Sequence, residues 1–280
     1  MNCNDGSFYQ KKERLWLAVL FLYRRMNSGM EHNDSGKRLN QYMASCGVCS
    51  RREADRYVEA GRVQVNGAPA QTGMRIGEQD HVCVDGKEIT PEKEKIVLAY
   101  YKPTGVVCTE KDAHAEKTII QALNYPVRVT YAGRLDQDSE GLMIMTNDGE
   151  LINAMMRGAN LHEKEYEVQV DHPLTQVFMN RMTSGVWLEE LQKTTRPCRL
   201  IRTGKDTFRI ILTQGLNRQI RRMCQAGGYE VRRLKRIRIM NIELGQLQSG
   251  QYRQVTGQEL QKLYAACRDN RGGTVADGHK

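Results

Sequence analysis

Two apolar runs flanking a glycine-bounded polar loop constrain this chain most tightly. Val127, Val129 and Tyr131 form the first run and Leu142-Met143-Ile144-Met145 the second, with Asn147-Asp148-Gly149 as the turn that follows. The order predicts strand, loop, strand, turn. Between the runs lies Gly133-Arg134-Leu135-Asp136-Gln137-Asp138-Ser139-Glu140-Gly141, three carboxylates and one arginine between two glycines. Glycine there lets the backbone take positive φ or come close to a ligand. A polar loop held by strands is a common place for catalytic groups. It is also what a solvated hairpin looks like, and its residues alone leave both readings open.

The chain has 280 residues, room for one large domain or two unequal ones, and its 40% hydrophobic and 27% charged residues fit a globular protein. The 42 Lys+Arg against 33 Asp+Glu leave a net charge of +9, which points to a polyanionic partner, nucleic acid first. Eight scattered cysteines read as reduced thiols. Cys46 and Cys49 form a lone C-x-x-C with no second Cys or His pair to complete a zinc site. No metal or cofactor is expected.

Residues 1–36 differ from the rest: a basic stretch, an apolar run from Leu15 to Tyr23, then Arg24-Arg25. That run is too short to span a bilayer, and no signal cleavage site follows. The expectation is a variable or mis-assigned leader, with translation starting at Met30. Residues 37–90 form a compact unit. Leu39, Tyr42 and Met43 recur at helical spacing, and Ser50-Arg51-Arg52-Glu53 is a capping box that opens a second helix. Val63 and Val65 alternate, and Asn66-Gly67 and Asp85-Gly86 mark tight turns. Lys37, Arg38, Arg51, Arg52 and Arg56 give this unit a basic face suited to phosphates.

Ile96 to Tyr101 reads as a buried strand ending in a Lys102-Pro103-Thr104-Gly105 turn, and Thr109 to Lys117 as a surface loop in which His114 is solvated. After the central loop comes a short helix, Leu151 to Arg157. Tyr166, Val168 and Val170 then alternate with charges in a half-exposed strand. Phe208 to Thr213 is another strand, followed by Gln214-Gly215-Leu216-Asn217 and a helix. On that helix Ile220, Met223 and Cys224 make the buried stripe, while Arg218, Arg221, Arg222 and Gln225 share another face. In Val231 to Ile239, Arg236 and Arg238 alternate with isoleucines, which reads as an RNA-backbone track. Glu259 to Cys267 is a terminal helix, and residues 268–280 are expected to be a disordered tail.

Gly133-Arg134-Leu135-Asp136-x-Asp138-Ser139-Glu140-Gly141-Leu142 closely resembles the signature of RNA pseudouridine synthases of the RsuA/RluB/RluE/RluF family. Lys102-Pro103-x-Gly105, Lys164-x-Tyr166 and Asn217-Arg218-Gln219-Ile220-Arg221-Arg222-Met223 resemble that family's other motifs. Arg38-Leu39-Asn40-x-Tyr42, Cys49 to Asp55 and Val63-x-Val65-Asn66-Gly67 resemble an S4 RNA-binding domain. The likeness runs over roughly residues 37–265, and its wording is nearest the RluF-type branch.

The resemblance implies an α+β architecture. A small N-terminal S4-like αα-β RNA-binding domain (37–90) precedes a synthase domain (96–265) built on a mixed, largely antiparallel sheet with flanking helices. It implies Asp136 as the catalytic aspartate, Tyr166 as the active-site tyrosine and Arg221 as the cation that pairs with Asp136. Asp136 would act either as a nucleophile at C1′ or as a base toward a ribose proton. Arg134, Lys164, Arg218, Arg222, Arg236 and Arg238 are the further RNA or substrate contacts expected. The expected partner is 23S rRNA or its large-subunit precursor, with tRNA as a second substrate. A cytoplasmic monomer with no membrane partner is expected. Two rivals use fewer of these residues. A non-catalytic RNA-binding or ribosome-assembly protein needs only the basic unit. A metal-dependent nuclease or glycosyl transferase needs only Asp136-x-Asp138.

Overall fold

The structure, a computed structural model, describes residues 36–92, 94–109, 117–157 and 161–269. The expectations for the leader and its start at Met30, for His114 and nearly all of its loop, and for the end of the tail lie outside these residues. The chain divides into two compact units, Met1–Pro91 and Glu92–Lys280.

In the first unit, β1 (Lys37–Arg38) leads into α1 (Leu39–Ser45) and α2 (Arg51–Glu59). These are followed by β2 (Val63–Val65), β3 (Ala68–Pro69), β4 (Arg75–Ile76), β5 (Val82–Val84) and β6 (Lys87–Glu88). The Ser50 side chain accepts from Glu53 N while Glu53 accepts from Ser50 N, so both orphan donors at the start of α2 are satisfied. Such a cap is worth about 1 kcal/mol. Asn66 (φ 52°) with Gly67 (φ 80°) turns β2 into β3, and Asp85 (φ 50°) with Gly86 (φ 75°) turns β5 into β6. Two consecutive left-handed residues match the twist of paired strands, which is why Asn-Gly and Asp-Gly stand there. Leu39, Met43, Ala54, Val63, Val65 and Val82 form the core.

The second unit begins with β7 (Val97–Lys102), α3 (Ile119–Leu123), β8 (Thr130–Tyr131), β9 (Glu140–Thr146) and α4 (Gly149–Met156). Next come β10 (Lys164–Val170), α5 (Gln176–Ser184), β11 (Trp187–Leu188), β12 (Lys193–Thr194), β13 (Arg199–Arg202) and β14 (Thr207–Leu212). It ends with α6 (Gln219–Ala226), β15 (Val231–Ile239), β16 (Ile242–Glu243), β17 (Tyr252–Gln254) and α7 (Gly257–Asp269). One nine-stranded sheet runs β13-β14-β10-β15-β9-β7-β17, with β16 on β15 and β8 on β9. Only the β15–β9 pair is parallel, so the sheet is mixed and largely antiparallel. Of the first apolar run only Thr130 and Tyr131 join the ladder, while Val129 packs into the core beside Ile119 and Met143. No helix among the described residues is long and apolar enough to cross a membrane.

The parallel pairing of β9 with β15 brings the central loop to the active face. Gly141 lies opposite Arg236. A Cβ at Gly141 (φ +110°) would sit 2.3 Å from the Arg236 carbonyl oxygen, so no larger residue fits. This close approach is the structural reason for the glycine after the carboxylates.

Candidate active site

The loop between β8 and β9 is tied down from below. Gly105 N donates to the Gln137 carbonyl at 2.8 Å, and Leu135 N reaches Cys108 Sγ at 3.5 Å. Lys102, fully buried, spends its ammonium on the Pro103 and Val106 carbonyls at 2.8 and 2.9 Å. Burial pushes that lysine down, with the nearby Arg236 acting in the same direction and Cys108, Asp136 and Asp138 opposing it. The Lys-Pro-x-Gly turn therefore buttresses the loop.

Above it opens a cavity of about 590 Å³ lined by Asp136, Lys164, Tyr166, Arg218 and Arg236, among others. Strand alternation selects two of these. On β10, Lys164, Tyr166 and Val168 share one face, and Glu165 and Glu167 the other. Tyr166 packs against hydrophobic residues from both halves of the sheet, and its hydroxyl has no hydrogen bond to another described residue. Asp136 is half-buried, and the cation nearest its carboxylate is Arg218, with Nη1 3.7 Å from Oδ2. Arg218 is the N-cap of α6 in the left-handed conformation (φ 49°), an uncommon state for a residue with a Cβ.

Arg221 does not take the place expected of it. Its Nε lies 3.2 Å from Asp138 Oδ2, and its Nη2 and Nη1 donate to the carbonyls of Asp138 and Val231. Arg218 also grips Asp138, with Nη2–Oδ2 at 2.8 Å and Nη1–Oδ1 at 3.2 Å. Burial works to raise the Asp138 carboxyl, but the hydrogen bond from Arg218 and the charge of Arg221 outweigh it and hold it below the usual range. Asp138, one turn of loop from Asp136, is thus the anchor for both arginines.

Several expected RNA contacts are not on an open surface. Arg236 is 2% exposed; its Nε donates to the Leu142 carbonyl at 2.7 Å and its Nη1 to the Arg134 carbonyl at 3.4 Å. It is a cavity-floor residue lying under Tyr166, not part of a backbone track. Arg238 is paired with Glu165 (2.9 Å) and Glu163 (3.0 Å), and Arg222 with Glu190 (2.7 Å). The track fails because β15 carries a one-residue bulge: Tyr166 faces Arg236 while Glu165 faces Arg238, leaving Ile237 as the extra residue. Arg236 turns inward and Arg238 outward. Lys164 lines the cavity, within reach of anything bound there. Its burial, with Arg236 nearby, pushes its ammonium down to about 8.

Arg134 is exposed at the cavity mouth, and its guanidinium has no partner among the described residues. In the first unit Arg38, Arg51, Arg52 and Arg56 are exposed, while Lys37 donates to Ser45 Oγ at 3.1 Å. Sequence reasoning missed Lys102 as a buried prop and Asp138 as the arginine anchor. The signal for the second was present: arginines three apart on one helix face need a carboxylate to meet. Asp138 is held by both arginines and Arg218 stands beside Asp136, so a divalent cation bridging Asp136-x-Asp138 would have to displace them.

Comparison with known proteins identifies the family. Residues 96–226 match the family described as RNA pseudouridylate synthase, and residues 37–82 the S4 domain. The chain is 46% identical over 233 residues to the dual-specificity RNA pseudouridine synthase RluF of Escherichia coli (strain K12), covering 82% of this chain and 79% of that protein. It is 32% identical over 235 residues to the ribosomal large subunit pseudouridine synthase B of Bacillus subtilis (strain 168), covering 82% and 96%. A crystal structure described as a pseudouridylate synthase superposes with a TM-score of 0.61 at 27% identity, over 81% of this chain and 99% of that one. With an S4 domain ahead of a synthase fold and its cavity built around Asp136 and Tyr166, this chain belongs to the RNA pseudouridine synthases.

Proposed function

We propose that the chain isomerises a uridine of 23S rRNA, in the large subunit or its precursor, to pseudouridine, and that a tRNA uridine is a second substrate. Relatives named as ribosomal large-subunit and dual-specificity synthases support the substrate class. The observation that carries the chemistry is the cavity that Asp136, Tyr166 and Arg218 share.

The reaction breaks the N1–C1′ bond and joins C1′ to C5, and the C5 proton is lost as N1 gains one. Nothing is oxidised and no group comes from outside. The residues divide this work. The uridine leaves its stack, at a cost of a few kcal/mol, and enters the cavity. Tyr166 offers its ring as a stacking surface and its unengaged hydroxyl for proton movement. Asp136 meets the ribose. Arg218 stands beside that carboxylate and orients it without closing it in a tight bidentate pair, so it stays available. Lys164, at the cavity wall, faces the bound nucleotide.

Residues 37–90 act as the RNA grip through Arg38, Arg51, Arg52 and Arg56, and residues 96–265 as the catalytic domain. The protein works as a cytoplasmic monomer. The test is tritium release from RNA labelled at C5 of uridine, run on large-subunit rRNA and tRNA. Release from rRNA that maps to one uridine supports the reading; release from tRNA alone would move the substrate class.

A further inference from the structure

Two large apolar side chains stand in solvent beside the cavity. Met156, the last residue of α4, is 54% exposed, and Leu161, before β10, is 52% exposed. Met156 lines the cavity mouth, and its Sδ lies 3.3 Å from where a Cβ on Gly133 would sit, so it rests on the loop that carries Asp136. Leu161 adjoins His162, which also lines the cavity. His162 is turned inward and 7% exposed, with Nε2 3.3 Å from the Ala154 carbonyl. With His162 docked inside, the backbone at Leu161 takes a left-handed conformation (φ 49°) that presents leucine outward. A leucine in that conformation is strained, and strain of this kind collects at functional sites.

The surroundings say what covers these side chains. Arg134 and Arg157, both exposed and both lining the same mouth, have no partner among the described residues. Apolar tips with cations beside them match a nucleic acid, whose phosphates lie outside its stacked bases. Proteins that kink duplex DNA insert Met or Leu between base steps in this way. An enzyme that must extract a base needs something to hold the stack open. We propose that Met156 and Leu161 form an apolar wedge that packs on the bases flanking the target uridine and stabilises its extruded state, while Arg134 and Arg157 hold the adjoining phosphates. This rests on the reading of the chain as an enzyme that isomerises a uridine in RNA.

The test compares the full-length wild type with Met156→Ala/Leu161→Ala on two hairpins carrying the converted uridine. In one the uridine is paired; in the other its partner is changed so that it is unpaired. A fluorescent purine analogue sits next to the target. The double variant should lose on the order of 10-fold to 100-fold in kcat/KM on the paired hairpin and under about threefold on the unpaired one, because an unpaired base costs least to extrude. The fluorescence rise on binding, read in the Asp136→Asn background where no turnover intervenes, should shrink in the same way. Met156→Leu/Leu161→Met should keep both. Equal losses on both hairpins, or no loss on either with an unchanged fluorescence rise, would overturn the wedge. Absence of tritium release by wild type from either hairpin would count against the substrate reading, and the fluorescence arm would still judge the wedge.

Discussion

Arg218 Nη1 lies 3.7 Å from Asp136 Oδ2, while Arg221 pairs with Asp138, its Nε 3.2 Å from Oδ2. The two arginines of α6 are therefore not interchangeable. Arg221 is held by hydrogen bonds to the Asp138 and Val231 carbonyls and by its ion pair with Asp138, and Arg218 spans both aspartates. Arg218→Ala should lower kcat about 100-fold, the loss typical of removing one charge-stabilising donor, with little change in melting temperature. Arg221→Ala removes two hydrogen bonds to backbone carbonyls and should cost about 1–3 kcal/mol of stability as well as activity. Single-turnover kinetics and urea melts of both variants separate the roles. An Arg218→Ala enzyme with wild-type turnover would return the pairing role to Arg221.

Gly141→Ala should be among the most damaging small substitutions in the sheet. The new Cβ would meet the Arg236 carbonyl at 2.3 Å, on backbone at φ +110°. A destabilisation of about 2–5 kcal/mol follows from an overlap that only strand movement can relieve. Because Arg236 floors the cavity, catalytic loss should accompany the shift in urea midpoint. A midpoint within error of wild type would mean that β9 and β15 are not so closely apposed.

Lys164 carries a pH signature. Its folded value, about 8, lies below its ordinary 10.5, chiefly because it is buried and secondarily because Arg236 is near. The unfolded chain therefore binds more protons between about pH 8 and 10.5, and stability rises with pH across that window. Lys164→Met removes the cost of a buried charge. It should raise the melting temperature by about 2–4 °C at pH 7, with the advantage gone above about pH 10.5. The same variant should lose activity at neutral pH. Melting curves from pH 7 to 10.5 check the sign; a variant less stable than wild type at pH 7 would contradict the assignment.

The exposed arginines of the first unit predict a salt effect rather than a catalytic one. Arg51→Ala/Arg52→Ala should raise KM, leave single-turnover rates at saturation unchanged, and reduce the slope of log affinity against log salt by about 0.7 per lost phosphate contact. Binding titrations across a salt series measure this. An unchanged slope would place those arginines away from RNA.

The parts of this structure legible in the sequence were those set by local chemistry. Ser50 and Glu53 cap a helix, Asn66-Gly67 turns a hairpin, and Ile220, Met223 and Cys224 form the buried stripe of α6. The loop around Asp136 was legible because its residues resemble a long, specific motif. Arg236 and Arg238 were not, because their directions depend on a bulge that only strand pairing reveals. The partners of Arg218 and Arg221 were hidden for a similar reason. The helix face shows which arginines travel together, but whether each meets Asp136 or Asp138 depends on how the loop closes against α6. Val127 and Val129 alternate like a strand, yet only Thr130 and Tyr131 find an edge to pair with.

The most direct test of the central claim is tritium release from C5-labelled large-subunit rRNA by wild type and by Asp136→Asn, with EDTA present throughout. Asp136→Asn keeps the shape of the loop and removes the charge that we propose meets the ribose. The account predicts release by wild type and none by the variant, with RNA binding by the two proteins alike. Release by the variant at the wild-type rate would contradict the role given to Asp136, and loss of wild-type release in EDTA would contradict a reaction run by side chains alone.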